Sequence, residues 1–184
     1  MSDQTIIENC SPTLAGLKTG NLFSVEYEDR KRVEEDVRRL NRLLGDKGIR
    51  VIPVSFGRKR ALIYFYRPSK LRKDMGDRDA AQILRKCGYT DSDPDTCVVR
   101  LISRLKEWRT FPHEIGLFLG YPPEDVRGFM EHRDTGCKCT GFWRVYGDRE
   151  EAEKNFSRYR KCTRIYSEQW RRGRTLDQLA VKLP

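Results

Sequence analysis

Ile49-Arg50-Val51-Ile52-Pro53-Val54-Ser55-Phe56, then Gly57-Arg58-Lys59, then Arg60-Ala61-Leu62-Ile63-Tyr64-Phe65-Tyr66, is the stretch on which the fold turns. Two runs rich in β-branched and aromatic residues flank a glycine-led turn, which predicts a β-hairpin. Upstream, Val33, Val37, Leu40 and Leu44 recur at three- and four-residue steps until Gly45 stops the run. That spacing predicts a helix over residues 29–45. Leu22 to Tyr27 reads as a further strand, residues 3–9 as a short helix, and residues 10–21 as a polar, glycine-rich loop. Residues 1–76 are thus expected as a small, mainly antiparallel sheet with a helix laid across it.

Helical patterns dominate residues 77–184, with candidates at 77–87, 94–108, 112–119, 123–133 and 148–172. Asp148 and Glu151 form a capping box for the last of these, and Gly173 supplies its stop. Its apolar stripe is Ala152, Phe156, Tyr159, Thr163, Tyr166 and Trp170. The expected class is α+β, with the two halves packed as one unit.

The chain has 184 residues, enough to bury a core. Charged residues make up 35% and hydrophobic ones 38%. The apolar residues are periodic, which excludes a disordered chain. No run approaches the roughly 20 apolar residues of a membrane span. The start, Met1-Ser2-Asp3-Gln4, lacks the features of a secretion signal, so a cytoplasmic location with reduced thiols is expected. The net charge of +10 points to polyanionic partners.

Six cysteines are present, two of them in Gly136-Cys137-Lys138-Cys139-Thr140-Gly141. A Cys-x-Cys turn aims two sulfurs at one point, which suits a soft metal, disulfide exchange or a thiol-bound cofactor. Lys138 is expected to favour thiolate. Cys10 and Cys162 are the candidates for completing a site, and a common metal requires one of them within roughly 7 Å of the pair. A second close pair, the mark of a closed zinc site, is missing. Cys87 and Cys97 read as packing residues. His113 follows Pro112 at an expected helix start, where the positive end of the helix favours the neutral, metal-ligating imidazole. His132 falls in a charged segment.

In the expected N-terminal loop, Ser11, Thr13, Thr19 and Asn21 offer polar groups and Lys18 a charge, but the spacing is not that of a phosphate-binding P-loop. Glu114 to Phe129 has helix-turn-helix spacing, with Gly116, Gly120 and Val126 at the key positions and Ile115, Leu119 and Phe129 in the core. The residues that should read a DNA groove are Pro122, Pro123, Glu124 and Asp125, and none can make the bidentate base contacts. Basic residues gather instead at Arg58, Lys59, Arg60, Arg67, Lys70, Arg72 and Lys73, among Tyr64, Phe65 and Tyr66. A second group is Arg158, Arg160, Lys161, Arg164, Arg171, Arg172 and Arg174. Such patches suit single-stranded nucleic acid, an anionic cofactor such as haem or a flavin phosphate, or an acidic redox protein.

Cys10-Ser11-Pro12-Thr13-Leu14-Ala15-Gly16-Leu17-Lys18 and Phe111-Pro112-His113-Glu114-Ile115-Gly116-Leu117-Phe118-Leu119-Gly120-Tyr121-Pro122 carry a resemblance. So do Cys137-Lys138-Cys139-Thr140-Gly141, Trp143, Tyr146-Gly147-Asp148 and Lys161-Cys162-Thr163. Together these resemble domain-of-unknown-function family 3793, a bacterial family found mainly in anaerobes. The resemblance implies no activity. The anaerobic setting it implies suits oxygen-sensitive thiol, iron or haem chemistry.

The leading expectation is a cytoplasmic accessory protein of anaerobic metabolism. It would use Cys10, Cys137, Cys139, Cys162 and His113 to bind a metal or metallocofactor, or to handle thiol redox. The alternatives are a nucleic-acid-binding protein using the basic patches, with Lys18, Arg58, Lys59, Arg60, Arg67 and Lys70 as anion-binding candidates, and a protein-docking module with structural cysteines.

Overall fold

In a computed structural model the described residues are 1–90, 93–106, 111–133 and 135–183. They form two compact units, Met1–Ser69 with Tyr159–Pro184, and Lys70–Arg158. The class is α+β. Among the described residues no helix is long and apolar enough to cross a membrane.

The first unit holds α1 (Asp3–Leu14), β1 (Gly20–Glu26), α2 (Arg30–Leu44), β2 (Arg50–Phe56) and β3 (Arg60–Tyr66). The sheet is antiparallel in the order β1-β3-β2, with Phe23 opposite Ile63 and Val51 opposite Phe65. Strand alternation sends Ala61, Ile63 and Phe65 into one core with Val37, Leu40 and Leu44 of α2. Tyr64 and Tyr66, on the other face, stack with centroids 4.4 Å apart. The outer edge of β2 is closed by a side chain. Asn41 donates to Val51 O at 2.7 Å and accepts from Val51 N at 2.9 Å. Pro53 removes one more edge donor.

One expected loop is partly helix. α1 runs on through Cys10, Ser11, Pro12 and Thr13 to Leu14. A proline inside a helix forfeits one backbone bond. The cost is met by burial: Ile6, Ile7, Cys10 and Leu14 sit at helical spacing and are all fully or almost fully buried. The freed carbonyls at the end of α1 find a partner in Arg67. Its guanidinium is wholly buried and donates to Thr13 O (2.7 Å), Leu14 O (2.8 Å), Lys47 O (2.9 Å) and Val181 O (2.6 Å). Orphan carbonyls at a helix end need such donors. The end of α8 (Arg149–Arg171) and the short α9 (Leu176–Leu179) complete this unit. Tyr166, Trp170, Leu176 and Leu179 join its core.

The second unit contains the rest of α3 (Pro68–Met75), then α4 (Arg78–Lys86), α5 (Pro94–Lys106), α6 (Ile115–Phe118) and α7 (Pro123–His132). A two-residue-per-strand hairpin follows, β4 (Cys139–Thr140) with β5 (Arg144–Val145), and then the start of α8 (Arg149–Arg171). The helix expected over 94–108 is seen to residue 106; residues 107 and 108 lie outside the described set. α3, α9 and the small hairpin were not foreseen, because each is too short to show a period. The sequence predicts a division near residue 76. Spatial grouping instead divides at Ser69 and returns the chain to the first unit from Tyr159.

Candidate aromatic binding site

Phe111-Pro112-His113 turns into α6, and α6 turns at Gly120-Tyr121 into α7. The two helices cross closely because Gly116 has no side chain: a Cβ there would lie 2.7 Å from Val126 and 3.1 Å from Tyr121. The hairpin then folds onto the start of α7. Asp125, 3% exposed, is the staple. Its Oδ2 accepts the Trp143 indole N–H at 2.7 Å, and its Oδ1 accepts the backbone N–H groups of Tyr146 and Gly147, each at 2.7 Å.

This arrangement leaves a cavity of about 330 Å³ lined chiefly by Phe111, His113, Tyr121, Phe129, Trp143 and Arg144. Trp143 stacks on Tyr121 at 4.8 Å, and the His113 ring meets Phe129 edge-on at 5.0 Å. The Arg144 guanidinium lies 5.7 Å from the Phe129 centroid and donates to Arg133 O at 3.0 Å. Arg133 has a positive φ of 46°, and its carbonyl also accepts from the Tyr146 hydroxyl. Two donors on one carbonyl hold this unfavourable backbone.

His113 precedes α6 in a turn rather than beginning a helix. Its pKa is nevertheless lowered, first by burial and then by the charge of Arg133, while Glu114 opposes. The imidazole is therefore neutral at neutral pH, for a different reason than the expected helix end. Glu114 itself is buried elsewhere, accepting from Arg104 Nε at 2.7 Å and Tyr89 OH at 3.1 Å. His132 is exposed, 3.9 Å from Glu131.

The candidate thiols divide between the two units. Cys10 and Cys162 belong to the first unit and Cys137 and Cys139 to the second. Among the described residues no three or more His, Cys, Asp or Glu side chains gather as metal ligands. Among the described residues no two cysteines form a disulfide. Cys10 is wholly buried and Cys162 is 7% exposed; burial pushes the Cys162 pKa up to about 11. Cys139 is also raised, by burial and then by Glu153. Arg149 opposes the shift, and the Lys138 ammonium donates to Gly147 O. The Cys137 thiol donates to Cys139 O at 3.0 Å.

The anion-binding candidates scatter. Lys18 and Arg67 are buried, so neither contributes to a basic surface. Lys18 donates to Gly20 O, and burial lowers its pKa to about 7. Arg58 and Lys59 are exposed at the β2–β3 turn, Arg60 pairs with Glu26 at 3.2 Å, and Lys70 is half-buried. The helix-turn-helix-like segment has the start of α7 covered by its own hairpin: a Cβ at Gly147 would lie 2.3 Å from Glu124. The aromatic cavity itself escaped the sequence. Its only linear signal was the density of aromatics in the Phe111–Tyr121 and Phe142–Tyr146 segments.

A family model described as Protein of unknown function (DUF3793) matches residues 6–180. No curated protein and no solved structure matches the chain.

Proposed function

For a chain that belongs to the DUF3793 family of proteins of unknown function, we propose a binding role: the second unit takes up a planar, mainly apolar small molecule that carries one acidic group. The observation that supports this is the cavity of about 330 Å³ with aromatic walls and Arg144 among its lining residues. Ligand pockets run from about 300 to 1,000 Å³ and combine apolar walls with a few polar groups. A bicyclic or tricyclic ring suits this volume. The ring would lie among Tyr121, Phe129 and Trp143, and the acidic group would pair with Arg144. Neutral His113 adds one donor or acceptor.

The test uses 1-anilinonaphthalene-8-sulfonate, a planar aromatic anion, beside uncharged 1-anilinonaphthalene. Saturable one-to-one binding of the anion is expected. Arg144→Gln should weaken it about tenfold, since a hydrogen bond to a charged group is worth about 1.5–3 kcal/mol, and should spare the uncharged probe. Phe129→Ala should weaken both. Binding that ignores both substitutions would overturn the proposal.

A second reading, thiol redox, is favoured by Cys137 and Cys139. Both are free and partly exposed on the hairpin that also carries Arg144. Its test is the alkylation experiment described in the Discussion.

A further inference from the structure

Residues 159–174, Tyr-Arg-Lys-Cys-Thr-Arg-Ile-Tyr-Ser-Glu-Gln-Trp-Arg-Arg-Gly-Arg, hold six cations and one carboxylate, Glu168. Arg160, Lys161, Arg164, Arg171, Arg172 and Arg174 are all exposed. Among the described residues none of their side chains makes an ion pair or hydrogen bond. At 100° per residue, Arg160, Arg164 and Arg171 fall within about 40° of one another, with Lys161 and Arg172 beside them. From residue 160 to 172 this stripe is about 18 Å long.

The fold does not require the charges at Arg160 and Arg164, whereas Arg171, in the last turn of α8, gains from the helix dipole. Arg160 and Arg164 are four apart and repel, which costs about 0.2–0.5 kcal/mol. Neither is near enough to the end of α8 to gain from the helix dipole. The apolar side of the same stretch is already used: Tyr159 and Cys162 are buried, and Tyr166 and Trp170 pack against the first unit's core. Only Ile165, 41% exposed, is a large apolar side chain left outward in this stretch. Insertion into a lipid surface needs an apolar face turned outward, which this helix lacks. The rings of this stretch are on the other side, Tyr159 buried and Tyr166 and Trp170 packed on the core, so the cation stripe itself offers no base stacking. Five of the six cations are arginine, whose fork pairs with phosphate oxygens bidentately.

We infer that this outer face of α8 is a docking surface for nucleic acid, held through its phosphate backbone without base readout. RNA and DNA present the same chemistry, and the test separates them. Fluorescence anisotropy is measured with a 20-base-pair DNA duplex, the matching RNA duplex and an oligo(U) strand, across a salt series. Vesicles containing phosphatidylserine serve as the lipid arm. Duplex binding that ignores sequence is expected, with a log–log salt slope of up to about −5 for six phosphates. Substituting Arg160, Arg164 and Arg171 by Gln should reduce the slope by about 1 per residue. These positions are exposed, so circular dichroism should show an unchanged fold. Arg58→Gln with Lys59→Gln, at the β2–β3 turn, should leave the slope as it was. No saturable binding in low salt, a slope unmoved by the α8 substitutions, or binding to vesicles alone would each overturn the inference.

Discussion

Trp143 donates its indole N–H to Asp125 at 2.7 Å, and that bond joins the short hairpin to the first turn of α7. The same carboxylate also holds Tyr146 and Gly147 by their backbone N–H groups. One buried side chain thus fixes both the wall of the cavity and the cover over the start of α7.

Asp125→Ala would strip one buried donor, the Trp143 indole, and two part-buried backbone donors of their acceptor. An unsatisfied buried group costs about 1–3 kcal/mol and part-buried ones less, so a loss of about 2–3 kcal/mol is expected, with partial relaxation of the hairpin. Thermal unfolding followed by Trp fluorescence measures it. The anilinonaphthalene sulfonate site should disappear with it. A variant as stable as the parent would show that the staple contributes nothing.

Gly128 faces Tyr146 so closely that a Cβ would lie 2.4 Å from the ring's Cγ. Gly128→Ala in a helix would ordinarily gain up to about 1 kcal/mol. Here overpacking should reverse the sign, for a net loss of about 1–2 kcal/mol. Combining it with Tyr146→Ala should cost less than the sum of the two single changes. Urea unfolding of the four proteins in the cycle gives the coupling.

Lys18 sets a pH dependence. An unfolded lysine keeps its proton to about pH 10.4, whereas buried Lys18 loses it near pH 7. Above pH 7 the unfolded chain therefore binds more protons, and stability rises with pH. Cys10 opposes this: burial raises its pKa, so the folded state keeps a proton that an unfolded thiol loses from about pH 8.5. Stability should climb from about pH 7 to 8.5 and then fall, because Cys162 and Cys139, also raised, add to the effect of Cys10. Lys18→Met should remove the climb in urea midpoints taken from about pH 6.5 to 9.5. A climb that survives the substitution would assign it to another group.

Alkylation separates the thiols. Cys137 and Cys139 are partly exposed, whereas Cys10 and Cys97 are almost wholly buried and Cys162 nearly so. The hairpin pair should react in the native protein, with buried Cys10, Cys97 and Cys162 waiting for denaturation. Cys139 should be slower than a free thiol, because burial and Glu153 raise its pKa. Glu153→Gln should speed it about two- to fivefold near pH 8, as a modest drop in pKa would allow. Timed peptide mass analysis, with and without chelator, reads these rates. If chelator accelerates the pair, a metal was occupying the sulfurs. If the pair reacts only after denaturation, the thiol-redox reading fails.

The sequence alone determined the elements whose signal is local. The α2 stripe of Val33, Val37, Leu40 and Leu44, the strands around Gly57, and the long run of α8 each repeat with their own period, and that repeat survives without knowledge of neighbours. α1 had the same kind of stripe in Ile6, Ile7, Cys10 and Leu14, but Ser11-Pro12-Thr13 within it reads locally as a break. Only the buried face and the Arg67 donors make that helix worth continuing. Arg67 and Lys18 were misplaced for one reason: a lone cation is most cheaply solvated in water, and nothing in the chain announces four carbonyls converging from Thr13, Leu14, Lys47 and Val181. The paired spacing of Cys137 and Cys139 was legible, but a metal site needs a third ligand placed in space, and spacing along the chain cannot supply one. The aromatic cavity likewise belongs to tertiary structure. Phe111, Phe129 and Trp143 are neighbours because glycine at 116 lets two helices approach and Asp125 draws the hairpin down over them.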